Sequence, residues 1–250
     1  MMTRIDGRSA DALRPVTIET GVQRNPEGSV MYACGGTRVL IAASVDEGVS
    51  SWMRGSGRGW VTAEYAMHPR ANPQRQDRDS RKGRIDGRTQ EIQRLIGRSL
   101  RAAVNLEKMG ERTITIDCDV LDADGGTRTA AITGGFVALA MALDGLRSRG
   151  LIGGGVLRGP LAAISAGIVG PSALLDLAYA EDSKAEVDLN VVALGDGGIV
   201  EVQGTAEGEP VPRDRWMALV DLSMSAMPQL FAAQEAALAK AGVSLGKLVR

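Results

Sequence analysis

Two polar clusters in this 250-residue chain hold residue types that act on phosphate esters. The first is Gly125-Gly126-Thr127-Arg128-Thr129, inside the stretch DCDVLDADGGTRTAAITGG from Asp117 to Gly135. Two glycines, two hydroxyls and an arginine at the start of a helix offer backbone N–H groups, O–H donors and a fixed cation to an anion. A plain strand-to-helix junction with Asp124-Gly125 as its turn accounts for the same residues. The second cluster is YAEDSKAEVDLN, Tyr179 to Asn190, where Asp182 and Asp188 stand six apart with Glu181 and Glu186 close by. Carboxylates of this kind hold a hard divalent cation or move a proton. A strand with an apolar inner and a polar outer face accounts for them equally. One cluster handles an anion and the other a metal or a proton, and together they point to phosphoryl-transfer chemistry.

A third feature is basic. His68 to Arg88 reads HPRANPQRQDRDSRKGRIDGR, with two prolines and almost no apolar side chain. Arg70, Arg75, Arg78, Arg81, Lys82, Arg84 and Arg88 oppose only Asp77, Asp79 and Asp86. A structureless segment of about 20 residues is unusual in a compact domain. It reads either as a solvated loop without a partner or as a flexible arm that neutralises a polyphosphate backbone.

These clusters need elements to position them. ITIDCDVL alternates, placing Ile114, Ile116, Cys118 and Val120 on one face of a strand that delivers the glycine turn. An apolar run from about Ala130 to Arg149 is then the helix the turn opens. Ile92, Leu95, Ile96, Leu100, Ala103 and Val104 recur at three-to-four spacing, predicting a helix from Thr89, as its cap, to about Leu106. Arg88 falls just before that helix. Strands are predicted at Val16–Glu19, Gly28–Cys34, Thr37–Val45, Trp60–Tyr65, Leu161–Val169, Ala173–Ala178, Glu186–Leu194 and Ile199–Gln203. Gly35-Gly36 turns a hairpin between the second and third. A long helix runs from Asp214 to about Ala241, interrupted near Pro228, and the tail is loosely held. The pattern suggests two stacked sheets with helices outside, not a doubly wound Rossmann sheet.

Composition narrows the function further. Net charge is −1 with 44% hydrophobic residues, so nucleic-acid binding requires local segregation of charge. One histidine and two cysteines make a zinc site untenable. Cys34 and Cys118 read as buried free thiols, which fits a reducing cytoplasm. Neither a signal peptide nor a membrane span is expected. No GxGxxG or GxxxxGK[ST] string is present, which argues against the usual dinucleotide site and a Walker-type ATPase.

Several long strings resemble the ribonuclease PH family: EGSVMYACGGTRVLIAASVDEGV (Glu27–Val49), GWVTAEYAMHPR (Gly59–Arg70), GRTQEIQRLIGRSLRAAV (Gly87–Val104), the glycine-turn stretch itself, YAEDSKAEVDLNVV (Tyr179–Val192) and IVEVQGTAEGEP (Ile199–Pro210). The resemblance runs nearly end to end. It implies an α/β (α+β) fold of the ribosomal protein S5 domain 2-like type, with 1–250 as one domain of two strand-plus-helix halves and 68–88 as a flexible basic loop. It implies a bacterial phosphorolytic 3′→5′ exoribonuclease that trims tRNA precursors, releases nucleoside 5′-diphosphates and assembles as a homo-hexamer, a trimer of dimers. Inorganic phosphate is then the co-substrate, held by Arg88, Gly126, Thr127 and Arg128. Asp182 and Asp188 are the catalytic carboxylates and the ligands of Mg2+ or Mn2+. Arg70, Arg75 and Arg78 guide the RNA. A ring subunit that binds RNA without chemistry is the rival, and the joint presence of Arg88, Arg128, Asp182 and Asp188 speaks against it.

Overall fold

The computed structural model describes residues 4–78, 81 and 83–249. Asp79, Ser80 and Lys82 of the basic segment lie outside the described residues. The first sheet holds β1 (Val16–Thr20), β2 (Gly28–Cys34), β3 (Thr37–Glu47), β4 (Trp60–Met67) and β5 (Arg112–Asp122) in the order β1-β2-β3-β5-β4. The β4–β5 pair is parallel and the other pairs are antiparallel. A parallel pair needs a crossover, supplied here by α1 (Gly87–Ala103), with the short α2 (Leu106–Met109) before β5. Then follow α3 (Thr127–Ser148), β6 (Leu161–Val169), β7 (Ser172–Leu175), a single helical turn α4 (Tyr179–Asp182), β8 (Val187–Leu194) and β9 (Ile199–Ala206). The last four strands form an antiparallel sheet in the order β7-β6-β8-β9. The chain finishes with α5 (Arg213–Lys240) and α6 (Leu245–Val249).

The expected face of β5 is observed. Ile114, Ile116, Cys118 and Val120 are buried, while Thr113, Thr115, Asp117 and Asp119 are not. The expectation that the helices lie outside two stacked sheets is corrected. Helix α3 contacts β2, β3 and β5 of one sheet and β6 of the other. Sixteen of its 22 residues are buried, as a helix apolar on every face requires. The Thr133 hydroxyl accepts from Ala163 N (3.0 Å) and donates to Ala163 O (3.1 Å), tying α3 to β6. Helix α3 has the length and hydropathy of a membrane span, but 83% of its most apolar window is buried within the fold. The main core joins both sheets through it, from Val30 and Ile41 to Leu161 and Val192.

Four smaller expectations also change. Both site helices begin earlier than their apolar periodicity suggests, α1 at Gly87 with Asp86 as its cap and α3 at Thr127 with Gly126 as its cap. Apolar spacing reports the packed face and is silent in a first turn made of polar residues. Helix α5 continues through Pro228. The tail is docked: Leu248 is fully buried and its carbonyl accepts from Leu157 N at 2.9 Å.

Candidate active site

The topology gathers two helix starts at one edge. Because β4 and β5 run parallel, their C-terminal ends lie side by side. The segment after β4 leads into α1 and the glycine turn after β5 leads into α3. Both helix N-termini therefore open at that edge, and neither cap supplies a side-chain hydrogen bond to the helix. Unpaired first-turn N–H groups and the helix dipoles make such an edge favourable to an anion.

A cavity of about 770 Å³ occupies this edge. Arg78, Arg88, Gly126, Thr127, Arg128, Asp182 and Asp188 all line it. Arg70 and Arg75 do not: both are exposed, and Arg75 pairs with Asp77 at 2.8 Å. Arg88 sits in the first turn of α1, not before it. The second sheet supplies Ser165 from β6, Asp182 from α4, and Asp188 and Asn190 from β8. Glu181 leaves the carboxylate cluster. It is buried and grips Arg4 through bonds of 2.6 and 2.8 Å.

The glycine turn requires its glycines. Gly125 and Gly126 have φ of +74° and +67°, the left-handed region that favours glycine. A Cβ on Gly125 would stand 2.4 Å from the Leu177 carbonyl oxygen. With no side chains in the way, the backbone lies open to the cavity.

Electrostatics separate the two carboxylates from their surroundings. Burial pushes Asp182 above its ordinary value, against the pull of Arg128 and Arg88. Burial, and then the charges of Asp182 and Glu207, raise Asp188 to about 6, with Arg128 pulling the other way. The pair thus resists carrying two negative charges without a cation. Among the described residues no group of three or more His, Cys, Asp or Glu side chains is arranged to hold a metal.

Family models match most of the chain. The 3′ exoribonuclease family domain 1 matches residues 12–143 and domain 2 of the same family matches 159–226. Ribonuclease PH of Mycobacterium ulcerans is 55% identical over 240 residues, covering 96% of this chain and 93% of that protein. Ribonuclease PH of Methylobacterium radiotolerans is 55% identical over 232 residues, covering 93% and 98%. The chain belongs to the ribonuclease PH family.

The ribonuclease PH fold extends to more distant solved structures. Rice Rrp46 superposes with a TM-score of 0.78 at 18% identity, over 94% of this chain and 100% of that one. The Archaeoglobus fulgidus exosome with RNA bound to the active site gives 0.74 at 24% identity, over 91% of each chain. These likenesses concern the fold.

Three residues at the site make contacts that sequence reading does not give them. Tyr65, buried on β4, donates to Thr127 Oγ1 at 2.9 Å. Gln203 on β9 accepts from Arg128 at 3.1 Å and donates to Glu91 at 3.1 Å, while Glu91 also faces Arg128 at 3.5 Å. Arg14 is 4% exposed and lies behind the glycine turn. No local signal marks them, because each acts through a partner far away in sequence.

Proposed function

We infer that this cavity carries out phosphorolysis of the 3′-terminal phosphodiester of RNA. The chain is a phosphorolytic 3′→5′ exoribonuclease of the ribonuclease PH type. The observation that carries the site assignment is the convergence of two helix N-termini, Arg88, Arg128 and the Asp182/Asp188 pair on one cavity. Inorganic phosphate sits against Gly126, Thr127, Arg128 and Arg88. The arginines neutralise and orient it, their planar forks matching two phosphate oxygens at once. One phosphate oxygen attacks the terminal phosphorus. A phosphorus–oxygen bond to the attacking phosphate forms as the bond to the preceding 3′ oxygen breaks. The products are a nucleoside 5′-diphosphate and an RNA one residue shorter whose 3′ oxygen has taken a proton. A phosphodiester is exchanged for a pyrophosphate-type bond, so the reaction runs in both directions.

Asp182 and Asp188 fit a Mg2+ or Mn2+ ion of the kind held by one or two carboxylates together with substrate phosphate. Bound there, the ion would offset charge on the transferring phosphoryl oxygens. In the alternative division of roles Asp188 alone holds the ion, and Asp182, whose protonated form is favoured by burial, protonates the leaving 3′ oxygen instead. Arg78 at the cavity wall, with Arg70 and Arg75 outside it, guides the incoming strand. The natural substrate is the 3′ end of tRNA precursors. The working assembly is a homo-hexamer, a trimer of dimers, in which residues 1–250 act as one domain and 68–88 as a flexible basic loop. Exposed Ile199 and Val202 on the edge strand β9 offer apolar surface to a neighbouring copy. Two buried free thiols, Cys34 and Cys118, suit the cytoplasm.

The deciding experiment identifies the products from a short 3′-tailed RNA with Mg2+, with and without phosphate. Nucleoside diphosphates formed only with phosphate are expected. Monophosphates formed without it overturn the reading. Arg88→Ala or Arg128→Ala should each slow phosphorolysis by at least about 10²-fold, as loss of an electrostatic donor does.

A further inference from the structure

Behind the glycine turn, outside the cavity lining, lies an ion pair between Arg14 and Asp176 whose side chains are each 3% exposed. Asp176 Oδ1 accepts from the Arg14 guanidinium at 2.7 Å, and Oδ2 accepts from Arg14 Nε at 3.1 Å and from the Arg14 backbone N–H at 2.7 Å. Arg8 adds a second cation 3.6 Å from Asp176 Oδ2, and burying such charges is costly unless the remaining donors find partners. The remaining Arg14 donors turn to the glycine turn, bonding the Asp124 carbonyl and, at 3.4 Å, the Gly125 carbonyl. Thr37 Oγ1 donates to the same Gly125 carbonyl at 2.7 Å and accepts from Asp124 N at 2.9 Å.

Peptide geometry gives these contacts a consequence. In a trans peptide the carbonyl of one residue and the N–H of the next point in opposite directions. Drawing the Asp124 and Gly125 carbonyls back toward Arg14 and Thr37 therefore turns the Gly125 and Gly126 N–H groups away from them, toward the cavity that both glycines line. The following carbonyl, Gly126 O, is committed to Ala130 N and Thr129 Oγ1 at 2.9 Å each, which starts α3.

Asp176 fixes more than one partner. It is the only residue other than glycine with positive φ (+51°) among the described residues. Its carbonyl accepts from Arg4 at 3.0 Å and from Arg8 at 3.2 Å. Arg4 in turn holds Glu181, the neighbour of Asp182. An uncommon left-handed conformation persists where surrounding structure over-determines it. Burial works against both charges, yet their mutual hydrogen bonds and attraction prevail, leaving Asp176 below the usual carboxylate range and Arg14 above its own.

We propose that the Arg14–Asp176 pair is a positioning device for the reaction: by anchoring the carbonyls of the glycine turn, it presets the amides that receive inorganic phosphate and registers them against the turn bearing Asp182. The proposal rests on reading the cavity as the phosphate site. It makes Arg14 a determinant of phosphate affinity although Arg14 does not line the cavity.

The test compares phosphate and RNA saturation in Arg14→Lys, Asp176→Asn and Arg128→Ala, with folding followed by circular dichroism. Lysine keeps the charge but cannot span both carboxylate oxygens and the turn carbonyls. Asparagine keeps the size and tolerates the left-handed conformation but removes the charge. R14K and D176N should each raise KM for phosphate about tenfold, with half-saturation by RNA changed less than about two-fold and kcat at saturating phosphate largely retained. Thr37→Val, which removes the other hold on the Gly125 carbonyl, should shift KM in the same direction and keeps the test open if the ion-pair variants do not fold. Unchanged phosphate saturation in the folded variants, or parallel loss for phosphate and RNA, overturns the proposal. If R128A alone is impaired in phosphate use, only this proposal falls. If R128A also keeps wild-type saturation, the phosphate-site reading falls with it.

Discussion

Tyr65 donates its phenolic hydrogen bond to Thr127 Oγ1 at 2.9 Å, inside the protein and directly beneath the start of α3. A hydroxyl has one proton to give. With its oxygen accepting from Tyr65, Thr127 has its own proton left to donate, and under the phosphate-site proposal the partner is a phosphate oxygen in the cavity. Tyr65→Phe removes this constraint and lets the threonine proton turn elsewhere. A hydrogen bond worth about 1 kcal/mol net corresponds to roughly five-fold in an equilibrium constant. Y65F should raise KM for phosphate by about that factor while leaving RNA affinity unchanged. Phosphate titrations at saturating RNA check it, and an unchanged KM would remove Thr127 as a side-chain donor.

The three arginines of the basic segment are not equivalent. Arg78 lines the cavity, Arg75 is engaged with Asp77, and Arg70 is exposed away from it. Each phosphate contact to a single strand contributes about 0.7 to the slope of log affinity against log salt. Arg78→Ala should weaken RNA binding and reduce that slope by about 0.7. Arg75→Ala should do less, since Asp77 already offsets its charge. Fluorescence anisotropy with a tailed RNA at several salt concentrations measures both. Equal slopes for R78A and the parent would take Arg78 out of the RNA path.

How much of this is legible in the sequence depends on the range of the interactions. The glycine turn and the Asp182/Asp188 spacing are local features, and the structure brings them to one cavity. The burial of α3 was also within reach, since AAITGGFVALAMAL leaves no polar face for solvent. Apolar pattern alone does not say which partners cover a helix, and here β2, β3 and β5 of one sheet and β6 of the other do so. Arg14, Tyr65 and Gln203 were out of reach. Arg14 meets Asp176 across 162 residues, Tyr65 meets Thr127 across 62 and Gln203 meets Arg128 across 75. In sequence each looks like an ordinary arm, strand or edge residue. The tail is hard to read for a related reason: Val243 and Leu248 dock on the main core with Leu245 and Val249 beside them, a run too short to show a period.

The carboxylate pair predicts a pH profile. Asp188 is raised to about 6, and Glu207 contributes to that rise from an exposed position. If ionised Asp188 is the working form, kcat/KM falls as pH drops through about 6, because protonation removes the charge that a cation needs. Glu207→Gln takes away one repelling charge without touching the pair, so the acid limb should move to lower pH, by roughly half a unit or less given solvent screening. The shift should shrink at high salt. A limb on the alkaline side instead would give Asp188 the part of proton donor.

The same raised value makes Asp188 a stability cost at working pH. Its ordinary value is 3.8 and its folded value about 6. Between these two, the folded chain holds a proton that the unfolded chain has released. Stability therefore declines as pH rises across that window, and the full penalty is present above it. Asp188→Asn removes the penalty while keeping the shape. In EDTA, D188N should unfold at a higher temperature than the parent at about pH 7.5, and the gap should close below about pH 4. Adding Mg2+ should then raise the parent's transition more than that of D188N, since a ligand stabilises only the folded form that binds it. Differential scanning fluorimetry across pH, with and without the ion, reads both effects. Equal transitions at neutral pH would mean that Asp188 carries no electrostatic strain, and a Mg2+ response identical in the two proteins would place the cation elsewhere.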